Sequence, residues 1–481
     1  MSASTSPATV SSAVNDVLKL LRAANARLVA IFGDVDPEGS RRVHYVVDID
    51  NREYRHFSMP VSGPIPSATA ITPSAAWHER ELHEQYGIEI LGHPDLRPLM
   101  NHENGADANA PTVAPYPFLK VQGKGVCEVP VGPVHAGIIE PGHFRFSVVG
   151  DTVLHLELRH FYTHKGTEKL FEATPVGCGS IIAESVSGDH CFAHAIAYCQ
   201  AIEAALAIAV PPRAEALRLL GLELERMMAH IADVGALCGD VGFTVPAAYT
   251  ARLKEALLRA SVQFIGTRLW RGVAVPGGVG RDVTAEGLRN LKRAVVEVAG
   301  DFAELARIIR TTPSVQNRFE STGVLKKDVA RAMGVVGPVA RASGLDVDLR
   351  RDHPYGAYQN LQIDAVHYEY GDVLARARVR IDETAMSARL ITETLDRMPE
   401  GPICTSAEWS RSAEGYSAVE SPRGELFYWV RVANGQISRC HIKSPSFQNW
   451  PALPLAMPGN IIADFPLINK SFNLSYSGCD R

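Results

Sequence analysis

The stretch PPRAEALRLLGLELERMMAHI, residues 211–231, decides the fold of the larger part of this chain. It opens with two prolines, which the first turn of a helix tolerates. Its apolar side chains recur at helical spacing and are Leu217, Leu219, Leu220, Leu224, Met227, Met228 and Ile231. The pattern predicts a long helix with a buried leucine- and methionine-rich face, at the centre of a mainly helical region over residues 165–400.

The same helix carries a row of charged side chains. Glu223, Arg226 and His230 are spaced i, i+3 and i+7, apart from much of the apolar face. Such a row is either solvated, which is the commoner arrangement, or a buried network whose members neutralise one another. The sequence leaves both interpretations open.

Patterns on either side of this core predict shorter elements. Helices are predicted over 13–26 and 77–86, strands over 28–32, 44–50, 426–432 and 437–442, and a strand-rich stretch over 126–157. Residues 101–118 carry Asn, Gly, Asp and Ala with three prolines, which predicts a linker, placed at 106–120. The fold class is therefore α+β, with a small α/β N-terminal domain over 1–105 and a large domain over 121–481 that has a helical core and peripheral strands.

Composition excludes several classes of protein. With 48 Lys and Arg against 53 Asp and Glu, the net charge of −5 argues against a nucleic-acid binder, and 46% hydrophobic residues exclude a mostly disordered chain. We expect no transmembrane helix and no signal peptide, because no long uncharged apolar run is present. The eight cysteines form no CxxC pair, which predicts reduced thiols and no iron–sulfur cluster on this chain.

The densest group of reactive side chains is SGDHCFAH, residues 187–194. On a helix His190 and His194 are i,i+4 neighbours that either share a metal or serve in packing and hydrogen bonding. A zinc site needs about four ligands and no second pair with ligand spacing is visible, which favours the packing interpretation.

Two further stretches contain candidate site residues. In HKGTE, residues 164–168, Glu168 is either a carboxyl with a raised pKa that relays protons or a first-turn carboxylate at an exposed helix start. In ESPRGE, residues 420–425, Arg423 either contacts carboxylates at a site or lies in a surface loop.

The N-terminal part resembles a known family. Glu79-Arg80-Glu81, Tyr86-Gly87-Ile88 and Gly92-His93-Pro94-Asp95-Leu96-Arg97 are similar to the signature of the small hydrophilic subunit beside the quinone-site subunit of respiratory complex I. The chain departs from that family at Glu84, where Asp is usual.

Residues 121–481 resemble both the quinone-site large subunit of complex I and the large subunit of membrane-bound nickel–iron hydrogenases of the formate-hydrogenlyase type. The matching motifs are Gly132-Pro133-Val134-His135-Ala136-Gly137, His164 to Lys169, Asp352-His353-Pro354-Tyr355, Glu420 to Glu425, Pro445-Ser446-Phe447 with Asn449, and Asp480-Arg481. The resemblance implies that His135 is the quinone-site histidine, that Glu168 passes protons and that Arg423 lies over the active site.

The departures from the hydrogenases are as informative as the matches. Four thiolates from two CxxC pairs hold nickel and iron in that family, and here those positions are Ser187, His190, Ser475 and Gly478. Cys191 and Cys479 are each one place out of register, so we expect no metal. The Tyr-x-Asp-Arg motif that carries the quinone-site tyrosine of complex I is absent around residues 177–187, and Asp189 or His190 is the candidate substitute.

The resemblance implies a subunit of a membrane-associated oxidoreductase at the cytoplasmic face. Electrons would pass from a 4Fe-4S cluster on a partner iron–sulfur subunit to a quinone-like acceptor, which is a substrate; no directly bound cofactor is expected. Integral membrane subunits of a complex I-like or antiporter-like arm would be further partners, and any NADH site would lie on another subunit. The alternative is a non-catalytic scaffold that docks an iron–sulfur subunit onto an ion-transporting membrane arm.

Overall fold

A computed structural model describes residues 7–23, 25–36, 38–102, 116–137, 139–406 and 408–481, with side chains from residue 13. The N-terminal part is a three-stranded antiparallel sheet of order β1-β2-β3, with two helices and a short parallel pair of strands. Its elements are α1 (Pro7–Leu21), β1 (Ala26–Val35), β2 (Arg41–Ile49), β3 (Glu53–Pro60), β4 (Ile65–Pro66), α2 (Ala76–Tyr86) and β5 (Ile90–Leu91).

Two antiparallel sheets flank the helical region of the large part, and each is a three-stranded meander. The first contains β6 (Val126–Val131), β7 (His143–Val149) and β8 (Thr152–Arg159). The helical region between the sheets contains α3 (Thr167–Phe171), α4 (Gly179–Ala183), α5 (Cys191–Leu206), α6 (Pro212–Asp240), α7 (Thr244–Ile265), β9 (Ala274–Val275), β10 (Gly278–Val279), α8 (Ala285–Thr311), α9 (Pro313–Phe319), α10 (Lys327–Ala332), α11 (Gly337–Ala342), α12 (Leu349–Asp352) and α13 (Val373–Asp396). The C-terminal elements are β11 (Ala413–Ser421), β12 (Gly424–Ala433), β13 (Gln436–Lys443), α14 (Pro445–Asn449), α15 (Phe465–Phe472) and α16 (Tyr476–Asp480).

Helix α6 lies at the centre of the large part and packs against α5, α7 and α13. It begins at Pro212, the second proline of the pair, and the whole leucine and methionine face is buried. Glu223, Arg226 and His230 are buried as well, so the row of charges is a buried network and not a solvated face.

The N-terminal sheet packs directly on the C-terminal sheet of the large part. Phe32 and Val46 share a buried cluster with Phe427 and Trp429, and the ring of Phe32 stacks on that of His441 at 4.2 Å. Each part has its own core, and this smaller apolar cluster joins them, supplemented by ion pairs that bury charge between them.

Most predicted elements are confirmed, with bounds that differ by a few residues. The predicted helix over 13–26 is wrong at its end, because α1 stops at Leu21 and Ala26 already belongs to β1. Strand β3 was not predicted, because its side chains are mostly polar and only Met59 is buried. The predicted linker over 106–120 lies mostly outside the described residues, so the domain boundaries stay predictions. No helix in the described part of the chain is long and apolar enough to cross a membrane.

Candidate functional site

The four positions that hold metal in the hydrogenases come together in this fold. Ser187 precedes α5 and Ser475 caps α16, and their Oγ atoms lie 2.9 Å apart although 288 residues separate them. The N–H of Gly478 donates to the Oγ of Ser475 at 2.9 Å. A Cβ on Gly478 would lie 3.0 Å from that Oγ and 3.4 Å from the Cβ of Ser187, so a side chain there would enter the same space. His190 Nδ1 completes the group, 3.3 Å from Ser187 Oγ.

The donors at these positions do not fit a nickel–iron centre. Two hydroxyls bond to each other where thiolates would be required. The nearest thiols serve elsewhere, since Cys191 Sγ donates to the carbonyl of Leu269 and burial raises the pKa of Cys479. Within the described ranges, no group of three or more His, Cys, Asp or Glu side chains is arranged to hold a metal ion.

Arg423 lies against this group and not in an exposed loop. It sits in the tight turn between β11 and β12, and only 7% of it is exposed. Its guanidinium forms an ion pair with Asp189, approaches His190 Nδ1 at 3.2 Å and donates to the carbonyl of Asn473. Sequence analysis therefore identified three side chains, Arg423, Asp189 and His190, that are in mutual contact.

Helix α6 holds the turn that carries Arg423. The guanidinium of Arg226 donates to the carbonyl oxygens of Glu420 at 2.6 Å and Ser421 at 3.0 Å. Gly337 begins α11 at φ +69° directly beside the turn, and a Cβ there would lie 2.2 Å from the carbonyl oxygen of Arg423. Sequence analysis missed this anchoring role, although an arginine on a core-facing helix is a sign of a buried partner.

The electrostatics of the cluster fix its protonation state. Desolvation acts to raise the pKa of Asp189, but the charge of Arg423 and the contact with His190 hold it well below its ordinary value. Burial lowers the pKa of His190. A neutral His190 can bond to the carboxylate only as the Nδ1–H tautomer, whose Nδ1 lies 2.9 Å from Asp189 Oδ1. In that tautomer Nδ1 cannot also accept from the guanidinium of Arg423, 3.2 Å away, so the two contacts are alternatives.

His194 extends the polar group into the core. Its ring centroid lies 4.8 Å from that of His190, and its Nδ1 lies 2.7 Å from the hydroxyl of Tyr428. Both histidines are fully buried. This arrangement agrees with the packing and hydrogen-bonding interpretation of the pair.

His135 lies on the loop after β6, beside the same region. Its Nε2–H donates to the carbonyl of Gly142 at 2.8 Å, and its ring lies 5.8 Å from that of Phe144. The loop also reaches α16, because Glu140 accepts the N–H of Ser477 at 2.9 Å. In the described part of the chain, no hydrogen bond joins His135 to Asp189, His190 or Arg423.

Glu168 lies in a separate cluster of basic groups. Its carboxylate lies 3.0 Å from Arg439, 3.0 Å from His441 and 3.2 Å from Arg481, and accepts the N–H of Ile442. Burial acts to raise the pKa of Glu168, but these groups lower it well below its ordinary value. The raised pKa considered from the sequence is therefore absent. Glu168 does lie in the first turn of α3, as the other alternative has it, but its side chain is largely buried.

The N-terminal part completes the Glu168 cluster. Arg481 also binds Glu81 of α2 at 2.7 Å, and Arg439 donates to the hydroxyl of Tyr86 at 2.6 Å. A cavity of about 480 Å³ borders Glu168 between the two parts of the chain. A second cavity of about 670 Å³ lies between the N-terminal sheet and residues 327–353. Neither of these two cavities is lined by His135, Asp189, His190 or Arg423.

The fold and the site define a class of protein: a hydrogenase-type large subunit whose metal-holding positions have lost their thiolates, joined to a small N-terminal domain. The family described as respiratory-chain NADH dehydrogenase, 49 Kd subunit, matches residues 240–413 and 409–481. The family described as respiratory-chain NADH dehydrogenase, 30 Kd subunit, matches residues 9–118.

Individual relatives agree with these matches. Hydrogenase-4 component G of Escherichia coli (strain K12) is 33% identical over 476 residues, which cover 94% of this chain and 81% of that protein. Formate hydrogenlyase subunit 5 of the same strain is 33% identical over 440 residues, which cover 86% and 77%. A chain of the membrane-bound sulfane sulfur reductase, an archaeal respiratory membrane complex, is similar with a TM-score of 0.70 and 26% identity, covering 74% of this chain and 99% of that one. This chain belongs to the family of complex I-related hydrogenase large subunits, with the 30 Kd and 49 Kd domains fused.

Proposed function

We propose that this chain is a subunit of a membrane-associated, complex I-like or hydrogenase-related oxidoreductase. It passes electrons from a partner iron–sulfur subunit to a quinone-like acceptor without a nickel–iron centre. The observation that carries the proposal is the contact of Arg423, Asp189 and His190 at the former metal positions. A buried cation beside protonatable groups suits an acceptor that gains negative charge and takes up protons as it is reduced.

Each candidate residue has a proposed role in that reaction. Arg423 balances the negative charge on the reduced acceptor, and His190 with Asp189 holds its head group. His135 orients or protonates the head group from the loop after β6. Its Nε2–H is engaged with Gly142, so Nδ1 is the ring atom left for the acceptor, and it can donate to or protonate the head group only when the ring is an imidazolium.

Glu168 is proposed to relay protons inward, but only when its basic neighbours move away. Three basic groups hold it as a carboxylate, and a carboxylate with a lowered pKa is a weak proton donor. Rearrangement at Arg439 or Arg481 would raise the pKa of Glu168 and allow it to take a proton. Both arginines are tied to the N-terminal part, which would therefore control the relay.

The proposed partners follow from the relatives. A 4Fe-4S cluster on an iron–sulfur subunit supplies electrons, and integral membrane subunits of a complex I-like or antiporter-like arm hold this chain at the cytoplasmic face. The name of one similar structure, a respiratory membrane complex, supports this setting.

Replacing His135 with alanine tests the proposed role of this residue. We expect quinone reduction by the assembled complex to fall by about a hundredfold, because one positioned acid–base group contributes about that much. The matched control is His367→Ala, since His367 is an exposed histidine far from the cluster in sequence. Equal turnover in the His135→Ala complex and the natural complex would remove the catalytic role.

Metal analysis of the purified complex tests the absence of a nickel–iron centre. We expect iron in the ratio that the iron–sulfur partner requires and no stoichiometric nickel, because hydroxyls and an imidazole replace the thiolates. Nickel at one atom per chain would overturn this part of the proposal.

The second candidate function is a non-catalytic scaffold between an iron–sulfur subunit and a membrane arm. One observation favours it: the side chains at the former metal positions bind each other, and the two cavities described above lie elsewhere. Affinity purification of the tagged chain from native membranes separates the two functions. Recovery of an iron–sulfur subunit with antiporter-like subunits supports electron transfer, whereas membrane subunits alone leave no electron source and support the scaffold.

A further inference from the structure

Helix α5 begins at the candidate site without a cap from its own N-cap side chain. Its N-cap residue is His190, and the side chain of His190 makes no capping hydrogen bond. The preferred N-cap residues are Ser, Thr, Asp and Asn, whose side chain accepts the N–H of the second or third helical residue. The histidine side chain is instead directed to Asp189, Ser187 and Arg423.

The missing cap comes from another helix. Glu225 of α6 accepts the N–H of Phe192 on Oε1 at 2.8 Å and the N–H of Ala193 on Oε2 at 3.1 Å. These are the second and third residues of α5, the two groups that an N-cap side chain would normally satisfy.

Glu225 has no cation as its hydrogen-bond partner among the described side chains. The adjacent Arg226 donates to the turn that carries Arg423 and not to Glu225. Burial raises the pKa of Glu225 to about 8. Burying a carboxylate without a salt bridge is unfavourable, and its two bonds to α5 are the compensation that the structure offers.

We propose that Glu225 is a positioning residue for His190: by capping α5 from α6, it leaves the His190 side chain free to join Asp189, Ser187 and Arg423. The inference rests on the proposed function only where it assigns His190 to the acceptor. The capping itself is a property of the chain alone, so it is testable without a working complex.

A double-mutant cycle in the full chain tests the capping. Glu225→Ala should lower the thermal unfolding midpoint by several degrees in the natural background, because two N–H groups lose their acceptor. In a His190→Ser background the same change should have a clearly smaller effect, because serine is a strong N-cap residue and takes over one of those groups. Equal losses in both backgrounds would overturn the capping.

The ¹⁵N resonances of the histidine side chains test the positioning. In the natural chain the Nδ1 of His190 should have the shift of a protonated nitrogen bonded to a carboxylate. Glu225→Ala should move that resonance, and Glu225→Gln, which keeps one acceptor oxygen and nearly the same volume, should move it less. This second variant keeps the test decisive if alanine prevents folding.

Glu184→Ala is the matched control for the resonance experiment. Glu184 is also buried and also accepts a backbone N–H, from Gly272 at 2.7 Å, but it does not cap α5. We expect the His190 resonance to stay in place in this variant. An unchanged His190 resonance in Glu225→Ala and Glu225→Gln would overturn the positioning role. Failure of quinone reduction with the expected resonances would count against the proposed function alone.

Discussion

Replacing Glu425 with alanine is expected to lower the free energy of unfolding by about 3–5 kcal/mol, because it breaks a buried ion network between the two parts of the chain. Glu425 binds Arg27 of β1 at 2.5 Å, Lys443 of β13 at 2.7 Å and the hydroxyl of Tyr54 at 3.0 Å. The side chains of Glu425 and Lys443 are 4% and 1% exposed. Removing the carboxylate leaves an unpaired ammonium in the interior, which accounts for most of the loss.

The effect of Glu425→Ala should depend on pH in a defined direction. Burial acts to raise the pKa of Glu425, but Arg27 and Lys443 lower it well below its ordinary value of 4.5. A carboxyl with a lowered pKa stabilises the fold above its unfolded-state value and loses that contribution as the pH falls towards the folded-state value. The difference between natural chain and variant should therefore be full at neutral pH and shrink below about pH 4.5.

Chemical denaturation of the full chain measures this difference. The matched control is Glu53→Ala, which breaks the exposed pair of Glu53 with Arg55 and should change stability little. If Glu425→Ala were as stable as Glu53→Ala, the interdomain network would contribute nothing and the two parts would be held by their apolar contacts alone.

The elements that the sequence predicted best are those with a strong apolar period. Helix α6 and strand β12 bury long apolar stretches, and their positions follow from local spacing. Strand β3 escaped prediction because it is a mostly polar edge strand of its sheet. A local pattern contains no information about a strand whose place is set by hydrogen bonds to a neighbour.

The sequence predicted which residues belong to the candidate site, but not which hydrogen bonds and ion pairs they form. Lost cysteines and the family motifs pointed to Ser187, Asp189, His190 and Arg423, which the structure brings together. Glu225 was not found, because its partners are backbone N–H groups of another helix and leave no pattern in the sequence. The sequence left open whether the pKa of Glu168 is raised, since it did not show that Arg439, His441 and Arg481 converge on this carboxylate.

Replacing Arg423 with leucine is expected to reduce quinone turnover by the assembled complex at least about a hundredfold. Leucine removes a guanidinium that contacts both Asp189 and His190, so the charge on the reduced acceptor loses its balance. Arg423→Lys should recover only part of the activity. A lysine carries the charge but lacks the planar fork that reaches Asp189, His190 and the carbonyl of Asn473 together.

Turnover has to be expressed per assembled complex, because this normalisation distinguishes the two candidate functions. A scaffold with a damaged site would assemble less well but would leave each assembled complex equally active, whereas an acceptor site would lose turnover in complexes of normal composition. Arg259→Leu is the matched control, since Arg259 is exposed and pairs with Glu255 of its own helix. If Arg423→Leu assembles normally but loses turnover, and Arg259→Leu does not, the charge of Arg423 serves electron transfer. If the assembled Arg423→Leu complex keeps normal turnover, the charge serves folding of the β11–β12 turn.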